Sequence, residues 1–129
     1  MTEQRFNNSE LSNFQMSAYI LLMPTFSHPR LHDVALSAAL HALADPCRLA
    51  IVRRLTRGGE LSCSAAACHD VPKSTLSNHF KILRAAGLIR TRTAGRDHLS
   101  TLRGEEFEAR FPGLLATVLA QPDERADAA

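Results

Sequence analysis

Apolar positions along the chain fall mostly at helical spacing. Leu36, Leu40 and Leu43 recur at i, i+4 and i+7 with Ala35, Ala38, Ala39 and Ala42 among them. They predict a helix beginning near Leu31 whose small residues admit a partner helix at close range. Asp45 followed by Pro46 is a strong helix start, Asp as N-cap and Pro in the first turn. That helix runs to about Arg57, turning Leu49, Val52 and Leu55 inward and Arg53 and Arg54 outward, and Gly58-Gly59 ends it. Leu61 to Cys68 reads as a short Ala-rich helix, and His69 to Pro72 as a turn. From Lys73 to Ala86 a further helix places Leu76, Phe80 and Leu83 on one face, with Ser74 able to cap it and Gly87 to close it. Leu88 to Arg92 has strand character, Thr93 to Asp97 is a turn, and His98 to Leu102 alternates as a second strand. A final helix from Gly104 carries Phe107, Phe111, Leu114, Leu115, Val118 and Leu119 on one side, with Pro112 as a kink or restart.

This order predicts a mainly α fold with a small β-hairpin wing, a winged helix-turn-helix that works as a dimer. Residues 1–30 form an N-terminal arm, polar through residue 15 and apolar in patches from Met16 to Phe26. Residues 31–120 form the winged helix-turn-helix and dimerisation domain, and residues 121–129 a frayed acidic tail.

Composition supports the helical reading. Of 129 residues 45% are hydrophobic, only 5% are aromatic, and there is no Trp. A core built of Leu, Ala, Ile and Val favours helices over sheets. Three cysteines are too few for a disulfide scaffold and suit a reducing compartment. No apolar run approaches the roughly 20 residues of a membrane span, and no signal-peptide pattern stands at the N-terminus. A soluble, cytoplasmic protein with no membrane partner is expected.

The formal net charge of +2 hides an uneven distribution. Residues 1–72 are neutral on balance, and residues 104–129 are acidic. Residues 73–103 hold Lys73, Lys81, Arg84, Arg90, Arg92, Arg96 and Arg103 against Asp97 alone. A concentrated positive stripe is what a polyanion binder needs, because neutralising phosphates releases counterions.

The stripe coincides with the second helix of the helix-turn-helix, the element that enters the major groove. Its first turn and a half carries Lys73, Ser74, Thr75, Ser77 and Asn78. Asn can pair with adenine bidentately, Ser and Thr can serve bases or phosphates, and Lys73 can reach guanine or the backbone. Lys81 and Arg84, further along, suit phosphates. His79 fits either a phosphate contact or packing beside Phe80. Arg92 and Arg96 flank Gly95 at the hairpin tip, where an arginine can enter a narrow minor groove. Operator half-sites about one helical turn apart call for a two-fold dimer, with the first and last helices as candidate surfaces.

On these stretches the chain resembles the ArsR/SmtB family of winged-helix repressors. The similarity lies in LADPCRLAIVRRL (Leu43–Leu55), VPKSTLSNHFKILRAAGLI (Val71–Ile89), AGRDHLSTL (Ala94–Leu102) and the closing helix, about residues 31–120 together. The resemblance implies a homodimer joined through its first and last helices that represses transcription and leaves DNA when an inducer binds. It carries DNA contact onto Lys73, Ser74, Thr75, Ser77 and His79. The metal site of the family's arsenic and cadmium sensors, a Glu-Leu-Cys-x-Cys box, does not carry over. Here Glu60-Leu61 precedes Ser62, Cys63 and Ser64, and hydroxyls are poor ligands for soft metals. Residues 104–121 contain no His for the family's zinc-type site. No metal site and no cofactor are implied.

The expected function is a sequence-specific, homodimeric transcriptional repressor on a palindromic operator of double-stranded DNA, with its inducer left open. One alternative is a thiol-based sensor using Cys47, Cys63 or Cys68, since a helix start such as that at Cys47 can lower a thiol pKa. Set against it, a cysteine also serves as a small buried hydrophobe. A nonstandard metal site of Cys63, Cys68 and His69 fails on spacing, because i and i+5 do not share a helical face. His28 and His32 are read as bystanders. A second alternative is a winged helix used for protein–protein contact. No nucleophile–base arrangement or phosphate loop suggests an enzyme.

Overall fold

The structure, a computed structural model, describes residues 26–125. The N-terminal arm before Phe26 and the tail after Arg125 lie outside the described residues. The described residues form six α-helices and a three-stranded antiparallel sheet packed at one side. The order is α1 (Leu36–Ala42), α2 (Pro46–Gly58), β1 (Leu61–Ser62), α3 (Cys63–Ala66), α4 (Lys73–Ala85), β2 (Ile89–Ala94), β3 (Asp97–Leu102), α5 (Gly104–Arg110) and α6 (Leu114–Leu119). One core joins them through Leu43, Ile51, Val52, Leu55, Phe80, Leu83, Leu88, Ile89 and Phe107.

The first predicted helix is interrupted. Leu31–Asp33 makes a single 3₁₀ turn, Val34 is extended and buried, and α1 starts only at Leu36. Arg110 holds the interruption by donating to the carbonyls of Leu31 (3.1 Å) and Val34 (2.9 Å). Because α1 ends at Ala42, Leu43 leaves the helical register and turns into the core. Ala39 and Ala42 are buried beside it, whereas Leu36 and Leu40 are 52% and 46% exposed.

Helix α2 begins as its sequence predicts, with Asp45 Oδ2 accepting from the Arg48 amide at 3.0 Å and Pro46 in the first turn. Arg53 and Arg54 do not simply face solvent. Arg53 donates to the carbonyls of Leu119 and Gln121 (both 2.8 Å), and Arg54 to those of Ala66 (3.0 Å) and Ala67 (2.8 Å). Each guanidinium thus satisfies carbonyls left over at a helix end.

The expected helix from Leu61 to Cys68 is shorter than its composition suggests. Leu61 and Ser62 pair with Ser100 and Leu99 as a third strand. The Ser62 hydroxyl then accepts from the Ala65 amide at 3.1 Å, so Ser62 ends the strand and caps α3 at once. Ala67 leaves the helix in an extended conformation, and Ala66, Ala67 and Cys68 are buried against the body.

Strands β2 and β3 pair from Ile89↔Leu102 to Ala94↔Asp97, leaving only Gly95 and Arg96 as the turn. Gly95 has φ +63° while Arg96 has a negative φ, the pattern of a two-residue II′ hairpin. The closing helix is split at Phe111-Pro112-Gly113. A residue before proline is pushed out of the α region, and Phe111 accordingly sits at φ −128°, ψ 74°.

The ends of the described chain are tied down. The Thr91 amide donates to His28 Nε2 at 2.9 Å, and Arg103 donates to the Pro29 carbonyl at 2.8 Å. In the tail, Arg125 pairs with Asp70.

Candidate nucleic-acid interface

The turn from His69 to Pro72 delivers the chain into α4, whose first helical residue is Lys73. Pro72 takes the N-cap position in an extended conformation, so Ser74 lies inside the first turn and makes no capping bond. Its hydroxyl is therefore not engaged by the helix end, contrary to the expected cap. Ser74, Ser77, Asn78 and Lys81 recur at i, i+3, i+4 and i+7 and form one exposed stripe, with Lys73 and Thr75 exposed beside it. The opposite face is anchored by Phe80 and Leu83, both buried in the core.

At its C-terminus α4 closes in a Schellman motif. The Leu88 amide donates to the Leu83 carbonyl and the Gly87 amide to that of Arg84, both at 3.0 Å. Gly87 has φ +74°, and a Cβ there would meet Leu31 Cδ1 at 2.8 Å.

His79 does not join the outward stripe. It is 8% exposed, and Arg48 Nη1 donates to its Nδ1 at 3.0 Å. Arginine has no acceptor, so Nδ1 presents its lone pair and the ring proton sits on Nε2, which lies 3.7 Å from Asp45 Oδ2. Buried on the α2 side of α4, His79 stands apart from the exposed stripe as a packing and hydrogen-bonding residue. Arg48, itself 7% exposed, completes the group by donating Nε to the Ala42 carbonyl and Nη2 to that of His41, both at 2.9 Å. One buried guanidinium therefore joins the end of α1 to the middle of α4. The sequence carries the signal for it, because Arg48 lies at i, i+4 and i+7 with Val52 and Leu55, the buried face of α2.

The ligand atoms of Asp45, Cys47 and His79 lie within 4.8 Å of one another. The His79 nitrogen nearest the carboxylate is the one that carries the proton, so it is a donor there rather than a ligand. Asp45 Oδ2 and His79 Nδ1 are each engaged by Arg48 instead, through its amide and its guanidinium. At the positions of the sensor-type box, Ser62 Oγ caps α3 and lies 3.2 Å from Ser64 Oγ, while Cys63 Sγ turns towards Ser100 Oγ at 3.5 Å.

The cysteines divide by burial. Cys47 and Cys68 are buried, and Cys68 Sγ lies 3.6 Å from the Cys47 carbonyl. Burial, reinforced by the neighbouring Cys68 thiol, pushes the Cys47 thiol up to about 12. This is the opposite of the lowering expected from its place near a helix start, because desolvation of the thiolate outweighs the helix dipole. Cys63 is half-buried.

The wing cations also divide. Arg92 makes a bidentate pair with Glu60, Nε to Oε2 and Nη2 to Oε1, both 2.8 Å, which holds the Glu60 carboxyl below its ordinary range. Its guanidinium is thus committed to bracing β2 against the end of α2 rather than standing free at the tip. Arg96 sits at the turn itself and is exposed. Arg84 is half-buried, with its guanidinium 4.6 Å from the centre of the Phe26 ring.

Among the described residues no helix is long and apolar enough to cross a membrane. Residues 43–92, from the end of α1 into the wing, match the family model of a helix-turn-helix domain. The chain is 46% identical over 80 residues to an uncharacterized helix-turn-helix transcriptional regulator of Bacillus subtilis, YceK, covering 60% of this chain and 79% of that one. It is 36% identical over 81 residues to the transcriptional repressor SmtB of Mycobacterium tuberculosis, covering 61% of this chain and 60% of the repressor's length. Its fold matches the crystal structure of an ArsR family transcriptional regulator with a TM-score of 0.55 and 32% identity, over 64% of this chain and 90% of that one. With the exposed polar stripe of α4, the wing and these relatives together, the chain belongs to the ArsR/SmtB family of helix-turn-helix transcriptional regulators, DNA-binding proteins rather than enzymes.

Proposed function

We propose that the protein is a homodimeric repressor that reads a two-fold operator through α4. The observation that carries this reading is the stripe of Ser74, Ser77, Asn78 and Lys81, exposed along one face while the opposite face is locked into the core. Lys73, Ser74, Thr75, Ser77 and Asn78 are the base-reading group, since the N-terminal part of a recognition helix meets the base edges. Lys81, Arg84 and Arg96 set register on phosphates. Arg92 contributes positive potential from its pair with Glu60. The dimer forms through α1 and α6. The outward Leu36 and Leu40 of α1 are the exposed large hydrophobics among the described residues, and Leu114, Val118 and Leu119 of α6 are only partly buried. Repression accords with the M. tuberculosis relative, whose name is that of a repressor.

Selection of duplexes from a random pool by the full-length protein tests this. The reading predicts enrichment of an inverted repeat with half-site centres about 10 bp apart or a multiple of that spacing. Failure to enrich any sequence would overturn it. Enrichment of a single unrepeated site would overturn the dimeric part.

A further inference from the structure

Beside the DNA-facing stripe lies a cavity of about 310 Å³ that the DNA-binding reading leaves unused. Its walls are Leu76 and Phe80 of α4, Cys63 of α3, His98 of β3, and Phe26 from the segment before the 3₁₀ turn. Lys73, Ser77 and Arg84 also face it, and among the described residues no carboxylate lines it. Phe26 is held in place as a wall. Its ring meets that of His98 edge-on, with centroids 4.9 Å apart and planes at 79°, and Arg84 lies over it. The volume sits at the small end of the roughly 300–1,000 Å³ range of ligand sites, which combine apolar walls with a few fixed polar groups.

An apolar lining with the half-buried Arg84 cation at its edge, and no acid among the described residues, suits a flat apolar body carrying a single negative charge. Burial lowers the Arg84 pKa from its ordinary value. Lys73 and Ser77 belong both to the cavity and to the DNA-facing group, so an occupant and a bound duplex would draw on the same side chains.

We infer that this cavity is an effector site for a small aromatic carboxylate, and that occupancy competes with DNA. The competition rests on the DNA-binding reading given above, whereas the binding does not. The carboxylate pairs with Arg84, and the ring fills the space between Phe26, Leu76 and Phe80.

Isothermal titration of the full-length protein with benzoate, and with benzyl alcohol as the same ring without the charge, tests the site directly. Saturable binding of one benzoate per chain is expected, with benzyl alcohol at least about tenfold weaker, as loss of a charge-assisted hydrogen bond implies. Arg84→Met should weaken benzoate by a similar factor. Phe26→Ala, which removes a wall and the ring beneath Arg84 but keeps the guanidinium, should abolish the benzoate response and lower benzoate-free DNA affinity less than Arg84→Met does. Absence of saturable binding, or affinity indifferent to both Arg84→Met and Phe26→Ala, overturns the site. Benzoate that binds but leaves DNA affinity unchanged overturns the competition. A protein that binds benzoate and no DNA would instead sink the regulator reading and leave the site standing.

Discussion

Arg48 and His28 show how single side chains fix the placement of α4 and the wing. Arg48 spends three donors on two carbonyls and one imidazole nitrogen, all within the body. Arg48→Met keeps the volume but leaves those acceptors without a partner, which costs about 1–3 kcal/mol in a buried site. Chemical denaturation should show that loss, and the exchange protection of α4 amides should fall with it. His28 works through its lone pair, accepting from the Thr91 amide. Burial, and then the charges of Arg90, Arg103 and Arg84, lower its pKa below the ordinary 6.5. A histidine lowered in the folded state contributes stability that is complete above 6.5 and is lost as pH falls through the folded value. The melting temperature should therefore fall as pH is lowered below 6.5, and His28→Gln, which can accept the same bond without titrating, should flatten that fall. An equal slope in the variant would assign the loss to other groups.

Among the elements, α4 depends on the way it ends. Gly87→Ala places a Cβ at positive φ and 2.8 Å from Leu31 Cδ1. The left-handed conformation alone costs about 1–2 kcal/mol, and the contact adds to it. A melting curve unchanged by this substitution would mean that the Schellman end does not hold α4 in place. Signals confined to one helix or turn were legible in the sequence, because their physics is local. Asp45-Pro46 caps α2, Gly87 closes α4, and Gly95 makes the hairpin tip. What depended on a distant partner was not. Leu61-Ser62 becomes a strand only because β3 lies alongside, α1 starts late because Arg110 holds the Leu31 and Val34 carbonyls, and Leu43 parts from Leu36 and Leu40 because α1 ends at Ala42 and the core takes it. His79 was legible as a residue of the motif, but not as the partner of Arg48, thirty-one positions earlier.

At the scale of the whole molecule, the proposed assembly brings two copies of α4 to one face of a duplex. Leu36→Glu with Leu40→Glu adds charge to an exposed face without touching the monomer core. Sedimentation should then show monomers that keep the native helix content. A dimer that persists would move the interface elsewhere. The basic stretch from Lys73 to Arg103 sits on α4 and the wing, so phosphate contact should dominate affinity. The most direct measurement is fluorescence anisotropy of the selected duplex titrated with the protein at a series of salt concentrations, for wild type and for Ser77→Ala with Asn78→Ala. Wild-type affinity should fall by about 10³–10⁵ between about 50 and 200 mM salt if the dimer neutralises about 6–10 phosphates. The double variant should keep that slope and lose about 1–3 kcal/mol of preference for the selected sequence at each base it no longer reads. Affinity flat in salt, with sequence preference unchanged in the double variant, would contradict the account.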